Sequence, residues 1–178
     1  MFGLPQVLSS ERLKLCTLNE SDADFIFSLL NSPGWKQFIG DRLIHSSADA
    51  LSYIKKINEN PEAFYWMVQS IETKEKLGVV TLIRRDYLRH ADIGFAFLPE
   101  HQKNGFAFEA VKCIIDAIAT STNQTKIAAI TIPENSASIQ LLLKLNFAQT
   151  EIIHKSNEEL LLFELEFHNS SDALNPSE

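Results

Sequence analysis

The sequence predicts one α/β domain of the α+β type, a mixed and mostly antiparallel sheet with helices on both faces. Two β-runs, Phe64–Ser70 and Lys76–Ile83, flank a polar turn, and a further run follows at Ala91–Phe97. That is the pattern of an antiparallel meander. The segment from Asn104 to about Thr120 is apolar around most of a helical circumference, as expected of a helix covered by other elements. Lys126–Ile132 is a continuous apolar run, the pattern of an interior strand in a sheet buried on both sides.

Taken in order, Arg12–Leu18 alternates polar and apolar residues, which reads as a half-buried strand. Asn19 or Ser21 caps a helix whose first turn is acidic and whose apolar stripe is Phe25, Leu29 and Leu30. Asn31-Ser-Pro-Gly34 stops it. Trp35–Arg42 reads as a loop whose aromatics either line a binding surface or pin the loop to the core. A second helix spans Ser47–Ile57. Pro99 ends the Ala91–Phe97 strand, because proline cannot donate to a ladder. A last helix begins after Pro133, and Phe147–Ile153 and Glu158–Phe167 are strands. The expected domain is 11–167, with a polar, aperiodic tail at 168–178 expected to be disordered.

Composition excludes several functions. The net charge of −7 over 178 residues argues against nucleic-acid or anionic-membrane partners, which need clustered Lys and Arg. The densest basic group is Arg84, Arg85 and Arg89 with His90; interrupted by Asp86, it reads as a solvated loop. Cys16 and Cys113 lie in apolar runs, read as small hydrophobes and not as a pair. No secretory leader or run of about 20 apolar residues is visible, so a cytoplasmic protein is expected. The histidines show no metal-ligand spacing, and no GxxxxGK or GxGxxG occurs, so no metal and no nucleotide-hydrolysing loop are expected.

The chemistry is concentrated in Asp92–Ala107, a strand, a short turn and the start of a helix. Such a turn offers free amides and the positive end of a helix dipole, which together attract phosphate. Gly105 allows close backbone approach, and Lys103 adds a positive charge. The plainer reading is that Asn104 caps a structural helix and Gly105 is a turn residue.

Gln102-Lys-Asn-Gly-Phe-Ala107 resembles the [Q/R]-x-x-G-x-[G/A] signature of the GNAT superfamily of acetyltransferases. Asn135-x-x-Ser138 followed by Lys144-Leu-Asn-Phe147 resembles its second signature, N-x-x-[A/S] then K-x-G-F. The likeness is greatest to the ribosomal-protein N-terminal acetyltransferase branch. It implies a central strand pair that splays apart, with the pantetheine arm of acetyl-CoA pairing to backbone at Phe95–Leu98, Phe97 and Leu98 included. It further implies pyrophosphate held by the amides of Gln102, Lys103, Asn104, Gly105, Phe106 and Ala107, and a coenzyme contact from Asn135.

On this resemblance the chain transfers an acetyl group from acetyl-CoA to a primary amine, a protein N-terminus or a small molecule, by direct attack. Leu98 N–H is the expected oxyanion donor. Asp92 is the expected base, acting through water, provided burial raises its pKa; a surface charge at a strand end is the other reading, and Asp86 and His101 are weaker choices. The acid tyrosine common in the superfamily is replaced by Leu142, so Ser138 is the expected acid, against a first-turn residue bonding nearby backbone. Asn146 stands for the signature glycine and must tolerate positive φ. Trp35, Asp41, Arg42 and Asp86, with Tyr87, are expected to shape the acceptor pocket, with Asp41 either attracting a cationic amine or pairing with Arg42 or another basic residue. The alternative function is a non-catalytic acyl-CoA-binding or regulatory protein on the same scaffold. A monomer or homodimer fits either.

Overall fold

The computed structural model describes residues 3–155 and 158–167. The expected tail at 168–178 lies outside these residues. The strands are β1 (Val7–Ser9), β2 (Leu13–Thr17), β3 (Ala63–Ser70), β4 (Lys76–Ile83), β5 (Asp92–Phe97), β6 (Lys126–Thr131), β7 (Ala148–Lys155) and β8 (Glu158–Glu166). They form one sheet in the order β1-β2-β3-β4-β5-β6-β8-β7. Every neighbouring pair is antiparallel except β5 and β6, which are parallel.

The α-helices are α1 (Ala23–Leu30), α2 (Pro33–Phe38), α3 (Ser47–Glu59), α4 (Phe106–Ser121) and α5 (Ser136–Lys144). They cover both faces, and the alternation within β3 shows how. Trp66 and Val68 face a core built with α4 and α5, around Ile114, Ile118 and Leu142. Met67 faces a second core built with α1, α2 and α3, around Ile26, Leu29 and Ile54. Burying each such side chain contributes roughly 1.5–3 kcal/mol, so the sheet is held from both sides.

Two elements differ from expectation. Asn31–Gly34 ends α1 but also begins α2: Ser32 Oγ accepts from Trp35 N at 3.4 Å, and Pro33 sits in the first turn, where a missing N–H costs nothing. The segment 33–38 is therefore helical where a loop was expected. Val7–Ser9 is an additional short edge strand, too brief to show a period. Cys16 and Cys113 are unpaired, and both are half-buried rather than core residues.

Candidate active site

The site starts where β5 and β6 part. Their register holds at one position, Asp92 opposite Ala128. Ala128 N donates to Ala91 O at 2.8 Å. The next outward β6 amide, Ile130 N–H, would meet a β5 carbonyl in a regular parallel ladder. Instead it donates to Asp92 Oδ1 at 3.2 Å. The carboxylate is thus a wedge at the apex of the splay.

The direction of the β5 amides follows from one bond. Leu98 N donates to Leu77 O at 3.0 Å, on the β4 side. Antiparallel bonding alternates, so Asp92, Gly94 and Ala96 also point their amides at β4, and Ile93, Phe95 and Phe97 point theirs into the cleft. Leu98 N–H is therefore already engaged, and the cleft-side amides are those of Phe95 and Phe97. Phe97 O, also on the cleft side, accepts from Gln102 Nε2 at 3.0 Å. The signature glutamine caps the open end of the strand.

The turn from β5 to α4 runs through a single 3-10 turn, Pro99–His101. Gln102 N donates to Pro99 O at 3.2 Å, so this amide too is engaged. Lys103 and Gly105 then take left-handed φ values of 62° and 77°. Gly105, not Asn104, is the N-cap of α4, and it supplies no side-chain cap. The first bond into the helix is Glu109 N to Gly105 O, 3.1 Å. Among the described residues the amides of Lys103 through Phe108 have no hydrogen-bond partner. That array is one residue further along than the sequence reading had it. Six amides at a helix N-terminus beside a glycine are a fit for a pyrophosphate. Acetyl-CoA supplies that group together with an activated acetyl thioester.

Asp92 is no surface charge. Its residue is 3% exposed, and Arg85 Nε binds its Oδ2 at 2.6 Å. Burial pushes its pKa up, against the pull of Arg85 and the Ile130 amide. Burial works against the Arg85 charge, but Asp92 raises its pKa overall. Arg85 thus leaves the expected solvated basic loop and enters the site. Burial raises the Tyr87 phenol pKa while the nearby Arg85 charge pulls it down, and Lys155 Nζ lies 3.2 Å from the centroid of the Tyr87 ring. Tyr65, on β3, has its phenol held well above the usual range by burial and by its neighbour Tyr53, while Arg42 and Arg85 pull the other way. Tyr87 was expected near the acceptor, but sequence periodicity gave no sign of Arg85, Tyr65 or Tyr53; a tyrosine on a strand and an arginine in the turn after one look structural until the strands are paired.

The remaining expected residues are dispersed. Asn135 caps α5, its Oδ1 accepting from Ser138 N at 3.2 Å. Ser138 is half-buried in the first turn of that helix. Asn146 takes φ 65°, so the glycine position of the second signature is conformationally preserved. Trp35 is 5% exposed and belongs to the α1–α3 core, as its core reading expects. Asp41 is exposed and accepts from Leu43 N at 2.8 Å, a local turn bond rather than a pair with Arg42. Asp86 is 93% exposed and stands 3.9 Å from Lys155 Nζ. No helix among the described residues is long and apolar enough to cross a membrane.

A family model described as an acetyltransferase (GNAT) domain matches residues 12–148. The chain is 26% identical over 155 residues to the uncharacterized N-acetyltransferase YoaA of Bacillus subtilis (strain 168), covering 84% of this chain and 86% of that one. It is 30% identical over 153 residues to the uncharacterized N-acetyltransferase p20 of Bacillus licheniformis, covering 83% and 85%. A spermidine N-acetyltransferase from Vibrio cholerae, solved with CoA and spermine, superposes with a TM-score of 0.76 at 21% identity, covering 89% of this chain and 97% of that one. The ribosomal L7/L12 alpha-N-protein acetyltransferase RimL, solved with coenzyme A, superposes with a TM-score of 0.75 at 13% identity, covering 90% and 98%. The matched span takes in the wedge at Asp92, the amide array and both signatures, and the chain belongs to the GNAT acetyltransferase family.

Proposed function

We propose that the protein moves an acetyl group from acetyl-CoA to a primary amine, by direct attack within a ternary complex. The run of unpartnered amides from Lys103 to Phe108, at the mouth of the β5–β6 splay, carries this reading. The pyrophosphate rests on that array. The pantetheine arm follows the free edge of β5, where Phe95 and Phe97 supply amides and Asn135 stands at the far wall. The Phe97 amide takes the oxyanion role in place of Leu98, whose N–H is bonded to Leu77.

Asp92 removes the amine proton through water. Each of its oxygens accepts one N–H and keeps a further lone pair for water. Ser138 protonates or hydrogen-bonds the departing thiolate, whose reference pKa is about 8.5 for a cysteine-like thiol. Arg42, Arg85, Tyr65 and Tyr87 form the acceptor side. Because Asp92 is already paired and both arginines are cationic, a polyamine meets repulsion there. An α-amino group, with a reference pKa of about 7.7–8.0 against about 10.4 for a lysine amine, also offers more of the neutral nucleophile. The acceptor is thus an α-amine, as at a protein N-terminus. We take the working unit to be 11–167 and the setting to be cytoplasmic, in keeping with two unpaired cysteines.

Calorimetry with acetyl-CoA tests the first half, and thiol release with a panel of N-terminal peptides and spermidine tests the second. Binding with turnover on peptides is the expected result. Binding without turnover on any amine is the result for a non-catalytic acyl-CoA-binding protein, and no binding removes the reading altogether.

A further inference from the structure

The amide array is not alone at the start of α4. Arg12, on the turn between β1 and β2, reaches across to it from 92 residues away in sequence. Its guanidinium is fixed on three sides. Nε donates to Glu109 Oε2 at 2.7 Å, Nη1 donates to Asn104 O at 3.1 Å, and the plane lies 4.7 Å from the centroid of the Phe106 ring. Glu109 is held in turn by Ser10 Oγ at 2.7 Å and Arg12 N at 2.8 Å, and these bonds with the Arg12 charge bring its pKa below the usual range against the effect of burial. A carboxylate in the first turn of a helix is also favoured by the helix dipole.

The fourth side is open. Nη2 has no hydrogen-bond partner among the described residues and lies 3.4 Å from where a side chain on Gly105 would begin. The Arg12 side chain is 47% exposed. Two N–H donors on a rigid, positively charged plane thus face the glycine against which a phosphate would rest. A guanidinium so oriented loses little freedom on binding an anion and makes charge-assisted bonds. An arginine serving only to brace the turn would spend its fork on Glu109, in the bidentate geometry, rather than divide it between Glu109, a loop carbonyl and solvent.

We propose that Arg12 is a coenzyme-binding residue whose Nη2 contacts a phosphate of the acyl carrier. This rests on the coenzyme site proposed above. Because the guanidinium sits beside Gly105, in the middle of the array, the phosphate it meets is the pyrophosphate and not the ribose 3′-phosphate. Arg12 also holds the Asn104 carbonyl outward, which keeps the loop amides turned to the ligand.

The test compares the binding of CoA and of 3′-dephospho-CoA by calorimetry to the wild type, Arg12→Ala, Arg12→Lys and Glu109→Gln. Arg12→Ala is expected to weaken both ligands equally, by about 10- to 100-fold, the scale of one or two charge-assisted bonds. Arg12→Lys, which keeps the charge but not the fork, recovers part of the loss. Glu109→Gln, which keeps the guanidinium and loosens its brace, is expected to weaken binding less than Arg12→Ala. Equal affinity of wild type and Arg12→Ala for both ligands overturns the inference, as does a loss confined to CoA or a loss in Glu109→Gln as large as in Arg12→Ala. Gly105→Asp serves as the control for the site itself: it abolishes binding by placing a carboxylate beside Arg12. Failure of the wild type to bind either ligand would remove the coenzyme site and this inference together, whereas unchanged Arg12→Ala binding with a dead Gly105→Asp removes this inference alone.

Discussion

Asp92 and Arg85 meet at 2.6 Å, Oδ2 to Nε, with the carboxylate side chain 4% exposed and the guanidinium 33% exposed. The pair sits where β5 and β6 stop bonding, so the charge that opens the cleft is also its proposed base. Burial raises the carboxyl pKa above its ordinary value. A base works ionised, so kcat/KM should climb with pH through that raised value, and the acid limb should lie above the ordinary carboxylate range near 3.9. Asp92→Asn keeps an oxygen for the Ile130 amide but places an amide against Arg85. The expected result is a rate about 10²- to 10⁴-fold lower, with the acid limb gone. An acid limb that persists unchanged in Asp92→Asn assigns the proton to another group.

Gly78 bears on the same strand from the other side. It pairs with Phe97, and a side chain there would begin 2.7 Å from the Phe97 ring and against the Ala96 carbonyl. Neither neighbour is the free end of a flexible chain. Gly78→Ala should therefore push β5 toward the cleft, at a cost of about 1–3 kcal/mol, read as a Tm several degrees lower. Because the Phe97 amide lines the cleft, the acetyl-CoA KM should rise as well. A lower Tm with an unchanged KM would mean that β5 yields elsewhere than at the coenzyme edge.

The fold was legible because its elements each follow from local pattern. The alternation in Arg12–Leu18, the apolar run Lys126–Ile132 and the apolar helix after Gly105 each stand where periodicity put them. What failed were decisions that depend on pairing. Leu98 N–H looked free until β4 claimed it, and Arg85 looked solvated until Asp92, seven residues on, proved buried. Arg12 and Glu109 are invisible to any local window, since their contact spans 97 residues. The Asn31–Gly34 stop was read correctly as an ending, but Ser32 and Pro33 also carry the signal for a beginning.

Asn146 stands where the family signature has glycine, and the backbone explains the preference. Its φ is 65°, in the turn that ends α5, where Phe147 N donates to Leu142 O and Asn146 N to Leu143 O, both at 3.0 Å. That is the left-handed closure that favours glycine, with asparagine tolerated. Asn146→Gly should leave stability within about 0.5 kcal/mol of wild type or above it, and Asn146→Ala should cost about 1 kcal/mol. Thermal unfolding measures both. An alanine variant as stable as the glycine variant would show that this turn bears no left-handed strain.

Trp35 is the last test, because it separates packing from recognition. Its indole Nε1 is buried without a hydrogen-bond partner among the described residues. An orphaned donor of this kind costs about 1–3 kcal/mol. Its ring nonetheless packs among Leu29, Leu30 and Ile54 in the α1–α3 core. Trp35→Phe removes the orphaned donor together with part of the ring, so the gain and the lost packing oppose each other. The net change in stability should fall within about 1 kcal/mol. Trp35→Ala also removes the donor but loses nearly all of the ring's packing, and should cost about 3–5 kcal/mol. If the indole serves the core only, Trp35→Phe leaves the acceptor KM untouched. A raised acceptor KM with unchanged stability would mean that the buried N–H finds its partner on the substrate, and would return Trp35 to the acceptor pocket.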